Sequence, residues 1–238
     1  MNEQVQRGVR ANRFLGRLSP RSLERLAPHL ESVELSRRQR LFAPDDEVGA
    51  VYFVTRGLIS TVKSMHDGRV VEVGVIGVEG VAPLGGLLGL KTALLELLVP
   101  APGAALRLKP STLREAAARD PALAELALGY VGASIGQIAQ TAACNRLHGL
   151  TERCCRWLLR AHDSAGGDTF QLTHEFLALM LGVQRPGVSL AANALQREGL
   201  IRYRSGMITV LDRAALEASA CECYGAMQAQ FAALYQDR

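Results

Sequence analysis

No cysteine precedes Cys144, and the five present (Cys144, Cys154, Cys155, Cys221 and Cys223) include no Cys-x-x-Cys pair. Two thiols at that spacing are how a thiolate metal site usually shows in sequence, so no structural metal is expected here. Neither an iron–sulfur cluster nor a haem is expected as cofactor. The vicinal Cys154-Cys155 pair and Cys221-x-Cys223 leave a thiol switch open, against the commoner case of buried helix cysteines acting as small hydrophobes. A long uninterrupted apolar run is also missing. The chain start has no apolar signal core, and the apolar stretch 81–108 is broken by Lys91, Glu96 and three prolines. That pattern predicts a cytoplasmic protein with no membrane partner. No P-loop, paired-carboxylate or Ser/His/Asp arrangement is present and the five histidines are scattered, which argues against an enzyme. Charge excess is small: a net charge of +4 tolerates a polyanion without demonstrating one. What is present is 238 residues, enough for two domains and a linker.

The stretch 172–210, LTHEFLALMLGVQRPGVSLAANALQREGLIRYRSGMITV, changes period in informative places. Phe176, Leu177, Met180 and Leu181 recur at helical spacing until Gly182, where a helix end takes a positive φ. Pro186 then suits the first turn of a second helix, whose buried face is Val188, Ala191, Ala192 and Leu195 and which Gly199 stops. A hairpin follows, with its turn at Ser205-Gly206. Two helices about a tight turn with a hairpin behind them describe a winged helix-turn-helix. Arg185 opens the second helix, where a guanidinium reaches guanine O6 and N7 in a major groove. His174, Arg202 and Arg204 are placed to reach phosphates on either side. Thr173, Gln184, Pro186 and Ser189 complete the candidate DNA-contacting set. The bland reading is a small helical interaction domain with scattered arginines.

The first half reads differently. Residues 1–28 are helical in pattern, with Ser19-Pro20 opening a second helix. From 32 to 81 the period shortens to many strands punctuated by glycines and turn clusters, which predicts a small closed β structure. Asp120-Pro121 starts a long helix whose apolar positions Leu128, Val131, Ile135, Ile138 and Ala142 step by three and four. That spacing predicts a two-stranded dimer seam; the competing reading is one helix buried on its own β domain. Gly129, Gly132, Gly136 and Ala139 form a second stripe, compatible with close approach of a backbone or ligand. A hinge loop is expected at 143–149, a helix over 150–162, and a terminal helix over 214–235 capped by Asp212.

On these residues the chain resembles the Crp/Fnr family of bacterial transcription regulators. The match is strongest after Asn145, and AVYFVTRGLIS resembles the family's β-roll strand-turn-strand. The resemblance implies an α+β fold in three parts: a cyclic-nucleotide-binding-like β-roll with N-terminal helices (1–120), a dimerisation helix and hinge (121–148), and a winged helix-turn-helix with an extra C-terminal helix (149–238). It implies a homodimer on a double-stranded, palindromic DNA operator, with RNA polymerase as a further candidate partner. Arg185 falls on the family's first base-reading arginine, while Pro186 and Leu190 stand where a glutamate and a second arginine are usual. Relatives that carry an iron–sulfur cluster use N-terminal cysteines, which this chain lacks. Nucleotide-binding relatives use a carboxylate, an arginine and helix hydroxyls. Here Glu79 is one place late, no arginine follows, and Ile138 and Ala139 replace the hydroxyls, so cyclic AMP is not expected as effector. The expected pocket combines Gly77, Glu79 and Gly80 with Leu84, Leu87, Leu88 and Ile138. A cyclic-nucleotide-type module acting through protein partners is the alternative function.

Overall fold

A computed structural model describes residues 3–236. Three short helices lead the chain: α1 (Glu3–Ala11), α2 (Arg13–Gly16) and α3 (Pro20–Leu26). Ser19 caps α3 by accepting from the Ser22 amide, and Pro20 occupies its first turn. Val5, Val9, Phe14 and Leu15 bury one face of this cap against Phe53 and Leu106 of the sheet below. Asn12 locks it there. Its side chain donates to the Val54 and Gly80 carbonyls at 2.9 and 2.8 Å and accepts from the Leu15 amide at 3.0 Å.

The strands β1 (Glu31–Leu35), β2 (Arg40–Phe42), β3 (Val51–Arg56), β4 (Ile59–Ser64), β5 (Val70–Ile76), β6 (Val81–Ala82), β7 (Glu96–Leu98) and β8 (Gly103–Leu108) form two antiparallel sheets, ordered β1-β8-β3-β6 and β2-β7-β4-β5. Leu35, Phe42, Val54, Ile59, Ile76, Leu97 and Val99 fill the space between them. A short helix, α4 (Leu84–Leu88), follows β6. The apolar stretch 81–108 thus holds β6, α4 and two inner strands, β7 and β8. β8 is buried between β1 and β3, which is why it shows no clean alternation.

After α5 (Pro110–Ala118) comes α6 (Pro121–Leu147), opened by Asp120, whose carboxylate accepts from the Ala122 and Leu123 amides. Among the described residues α6 alone is long and apolar enough to cross a membrane. Its faces are divided otherwise. Val131 is buried and Ile138 half-buried toward the β-roll, whereas Ile135, which edges the same cavity, stays exposed. The exposed stripe is Leu128, Gly132, Ile135, Ala139 and Ala142, which keeps the three-four step. Gly129 and Gly136 have a different reason: a Cβ there would meet Leu234 and Gln230 of the terminal helix, which lies along α6.

The head consists of α7 (Leu150–Ala165), β9 (Thr169–Gln171), α8 (His174–Leu181), α9 (Arg185–Arg197), the hairpin β10 (Ile201–Arg204) and β11 (Met207–Val210), then α10 (Arg213–Ala218) and α11 (Cys223–Leu234). Two boundaries differ from expectation. The hinge is only His148 and Gly149, because α6 runs on to Leu147. The terminal helix is broken at 219–222, where Cys221 turns inward. α10 and α11 are fastened to α7 by Asp163, which accepts from Arg213 at 2.7 Å and Tyr224 at 3.0 Å.

Candidate nucleic-acid interface

Gly182 ends α8 in the left-handed region, with φ of 64°, and three residues later α9 begins. Val188, Ala191, Ala192 and Leu195 bury one side of α9 against α7 and α8. The opposite side, Arg185, Pro186, Leu190, Asn193 and Arg197, is exposed along the length of the helix. Leu190 is 72% exposed in the middle of it. Asn193 and Arg197 are not among the sequence candidates, although i, i+4, i+7, i+11 counting from Pro186 puts both on that face. Gln184 precedes α9, exposed and without a capping bond. Arg202 and Arg204 are exposed on the wing, whose turn at Ser205 and Gly206 has φ of 51° and 78°.

The structure gives three candidate contacts other work. His174 is buried, not free for phosphate: its ring stacks on Tyr203 at 4.1 Å and its Nδ1 meets Ser189 Oγ at 3.0 Å. Burial and then the charge of Arg185 lower its pKa, so the imidazole is neutral and fixes α8, α9 and the wing together. Ser189 is engaged by the same bond. Thr173 caps α8, its hydroxyl accepting from the Phe176 amide at 3.2 Å. Arg185 pairs with Glu175 at 2.9 Å, and both side chains are more than half exposed, so the pair costs little to part.

Residues 152–219 match the family model of the Crp-like helix-turn-helix domain. The whole fold is similar to that of FixK2 from Bradyrhizobium japonicum (TM-score 0.66, 16% identity, covering 81% of this chain and 98% of that one). A CRP-family transcriptional regulator from Thermus thermophilus gives a TM-score of 0.64 at 22% identity, over 79% of this chain and 96% of that one. Residues 152–219 thus carry a Crp-like helix-turn-helix domain, and the chain as a whole shares the fold of these regulators. The c-di-GMP responsive global regulator CLP from Xanthomonas campestris is also similar, with a TM-score of 0.61 and 20% identity over 81% of this chain and 99% of that one. No curated protein sequence matches.

A cavity of about 280 Å³ lies between the β-roll and α6. Leu84, Leu88, Ile138, Ile135 and Leu97 line it with Thr61, Ser134 and Gln137, and no Arg or Lys is among them. Leu87 is not in that lining and packs instead on the apolar cluster shared by the N-terminal helices, β3, β8 and α6. Gly77 and Glu79 lie elsewhere, at the joint between β-roll and head, and Gly80 lies against Tyr130 of α6 and Asn12. Glu79 is buried and pairs with Arg160 of α7 at 2.5 Å, and it accepts from the Gly77 amide at 3.0 Å. A Cβ on Gly77 would strike Ser164, and one on Gly80 would strike Tyr130. The carboxylate that sequence counting placed near a ligand therefore holds the head.

A second carboxylate completes the joint. Glu72 of β5 is buried, accepts from the Ser60 hydroxyl at 2.6 Å and from Trp157 Nε1 at 3.1 Å. Burial pushes its pKa up to about 7 against the Ser60 bond and the charge of Arg156. Leu58, Val62 and Val75 of the β-roll share one apolar cluster with Trp157, Leu158 and Leu177 of the head. Of the cysteines, Cys154 and Cys155 are buried in α7, and burial raises both thiols to about 12, which disfavours the reactive thiolate.

Proposed function

We propose that the protein is a cytoplasmic homodimer that binds a palindromic operator through α9 of each protomer and regulates transcription in contact with RNA polymerase. The observation that carries this reading is the exposed side of α9, with Arg185 at its first turn, set beside the exposed wing arginines 202 and 204. Arg185 supplies direct readout and the wing arginines supply phosphate attraction. The exposed stripe of α6, with Leu128 66% and Ile135 61% exposed, supports a two-fold seam with a second copy. Selection from random duplex DNA followed by gel shift tests the reading. A palindrome with half-sites about 10 base pairs apart, bound in a salt-dependent way, is expected. Equal affinity for all sequences would overturn it.

The effector reading follows from the cavity. Its lining has no cation to offset a cyclic phosphate, and removing that anion from water unpaired is costly. Gln137 is buried, its Oε1 accepting from the Val75 amide at 3.2 Å while its Nε2 has no hydrogen-bond partner among the described residues. An uncharged, mainly apolar molecule with one acceptor for that amide suits the site. Operator binding accordingly needs neither cyclic AMP nor cyclic GMP. Calorimetry with both nucleotides is expected to give no binding, and a dissociation constant below about 10 μM would overturn this reading.

A further inference from the structure

Cys144 and His148 stand one turn apart at the end of α6, and Cys221 and Cys223 stand at the break between α10 and α11. The four ligand atoms all lie within 4.8 Å of one another. Cys144 Sγ is 3.5 Å from Cys221 Sγ, and Cys223 Sγ is 3.5 Å from His148 Nδ1. Tetrahedral zinc, with bonds of about 2.3 Å to sulfur and about 2.0 Å to nitrogen, sets its ligands about 3.5–3.8 Å apart. The cluster is therefore sized for one ion, whereas an iron–sulfur cluster spreads its thiolates further.

We propose that Cys144, His148, Cys221 and Cys223 bind a single thiophilic metal ion, zinc, which latches the C-terminal extension to the hinge.

The surroundings fit that ion. His148 presents Nδ1 to the cluster, and its Nε2 lies 3.8 Å from an exposed Glu222 carboxylate oxygen, near enough for a small shift to make it the outer-shell partner of a ligating imidazole. Gln140 Nε2 donates to Cys223 Sγ at 2.9 Å. Three thiolates on a divalent ion leave one negative charge. Arg156 is buried, its Nε without a hydrogen-bond partner among the described residues, and its charge acts on Cys144. The end of α6 and the hinge residue His148 are thereby tied to residues 221–223. The sequence expectation of no metal rested on the absence of Cys-x-x-Cys. This set is instead assembled from an i, i+4 pair and a Cys-x-Cys pair 77 residues away.

The test uses full-length protein purified anaerobically and without a metal-affinity column. Elemental analysis is expected to give one zinc per chain, and cobalt exchanged into the wild type should show the intense visible bands of a tetrahedral thiolate site. Chelation should expose the segment around residues 219–222 to limited proteolysis, and zinc should reverse this. Cys221→Ser should lose the metal, while Cys154→Ser keeps it. Protein without metal that also takes up no cobalt, an octahedral cobalt spectrum, iron with sulfide, a Cys144–Cys221 disulfide in the anaerobically purified chain, or metal retained by Cys221→Ser would each overturn the proposal. The wild-type cobalt spectrum decides the matter even where Cys221→Ser fails to fold.

Discussion

Arg185 and Leu190 share the exposed side of α9 but bring opposite chemistry to a groove. A guanidinium at the first turn can take both acceptors of a guanine, whereas an isobutyl group suits a thymine methyl and repels nothing. Arg185→Ala is expected to lose about 1–3 kcal/mol against the selected operator and little against random DNA. Equal losses on both, measured by gel shift, would mean that Arg185 touches only phosphate. Glu72 is the residue most exposed to pH in its consequences. Its carboxyl titrates near 7 in the folded chain and near its ordinary value of 4.5 when unfolded, so between these pH values the folded state holds the extra proton. Stability from this group is present at low pH and is lost as pH rises through 7. Glu72→Gln retains an oxygen for Trp157 and Ser60 but never has to ionise. It should melt like the wild type near pH 5 and higher than the wild type at pH 8, by up to about 3 kcal/mol at roughly 1.4 kcal/mol per unit. Parallel melting curves across that range would show that Glu72 is not buried against Trp157.

α6 carries three surfaces on one helix, which is why its apolar pattern was only partly legible. Leu128, Ile135 and Ala142 were read as outward and are exposed, but Val131 and Ile138 in the same step belong to the β-roll side. A helix apolar on two faces offers no polar stripe to fix the phase of the count. Capping residues were plainer: Asp120, Ser19 and Asp212 each accept from an amide two or three residues on, as their types and places imply. β8, an inner strand, lacks clean alternation, and β7 is three residues long, too short to show a period. Ile135→Asp tests the seam. Sedimentation of this variant should show monomer where the wild type shows dimer, with an unchanged far-ultraviolet spectrum, since the side chain is 61% exposed within one chain. Dimer at the wild-type protein concentration would mean that the copies meet elsewhere.

The molecule as a whole is a head clamped to a β-roll through buried charge, and this joint is what sequence reading could not reach. Arg185 and the wing arginines were legible because a local turn pattern places them, but Glu79 and Arg160 are 81 residues apart and meet only through the fold. Glu79 was read as a ligand group because its neighbours in sequence suggested a pocket. In space it faces Arg160 with both side chains under 10% exposed. Removing one partner leaves the other charge buried and unpaired, which typically costs about 3–5 kcal/mol, whereas removing both charges costs far less. Arg160→Met and Glu79→Gln are therefore each expected to destabilise strongly in urea. The double variant should recover much of the loss, because the introduced glutamine can still accept from the Gly77 amide and the introduced methionine fills the space apolarly. Additive losses in that cycle would show the two groups to be independent, and the clamp would then rest on the apolar cluster around Trp157 alone.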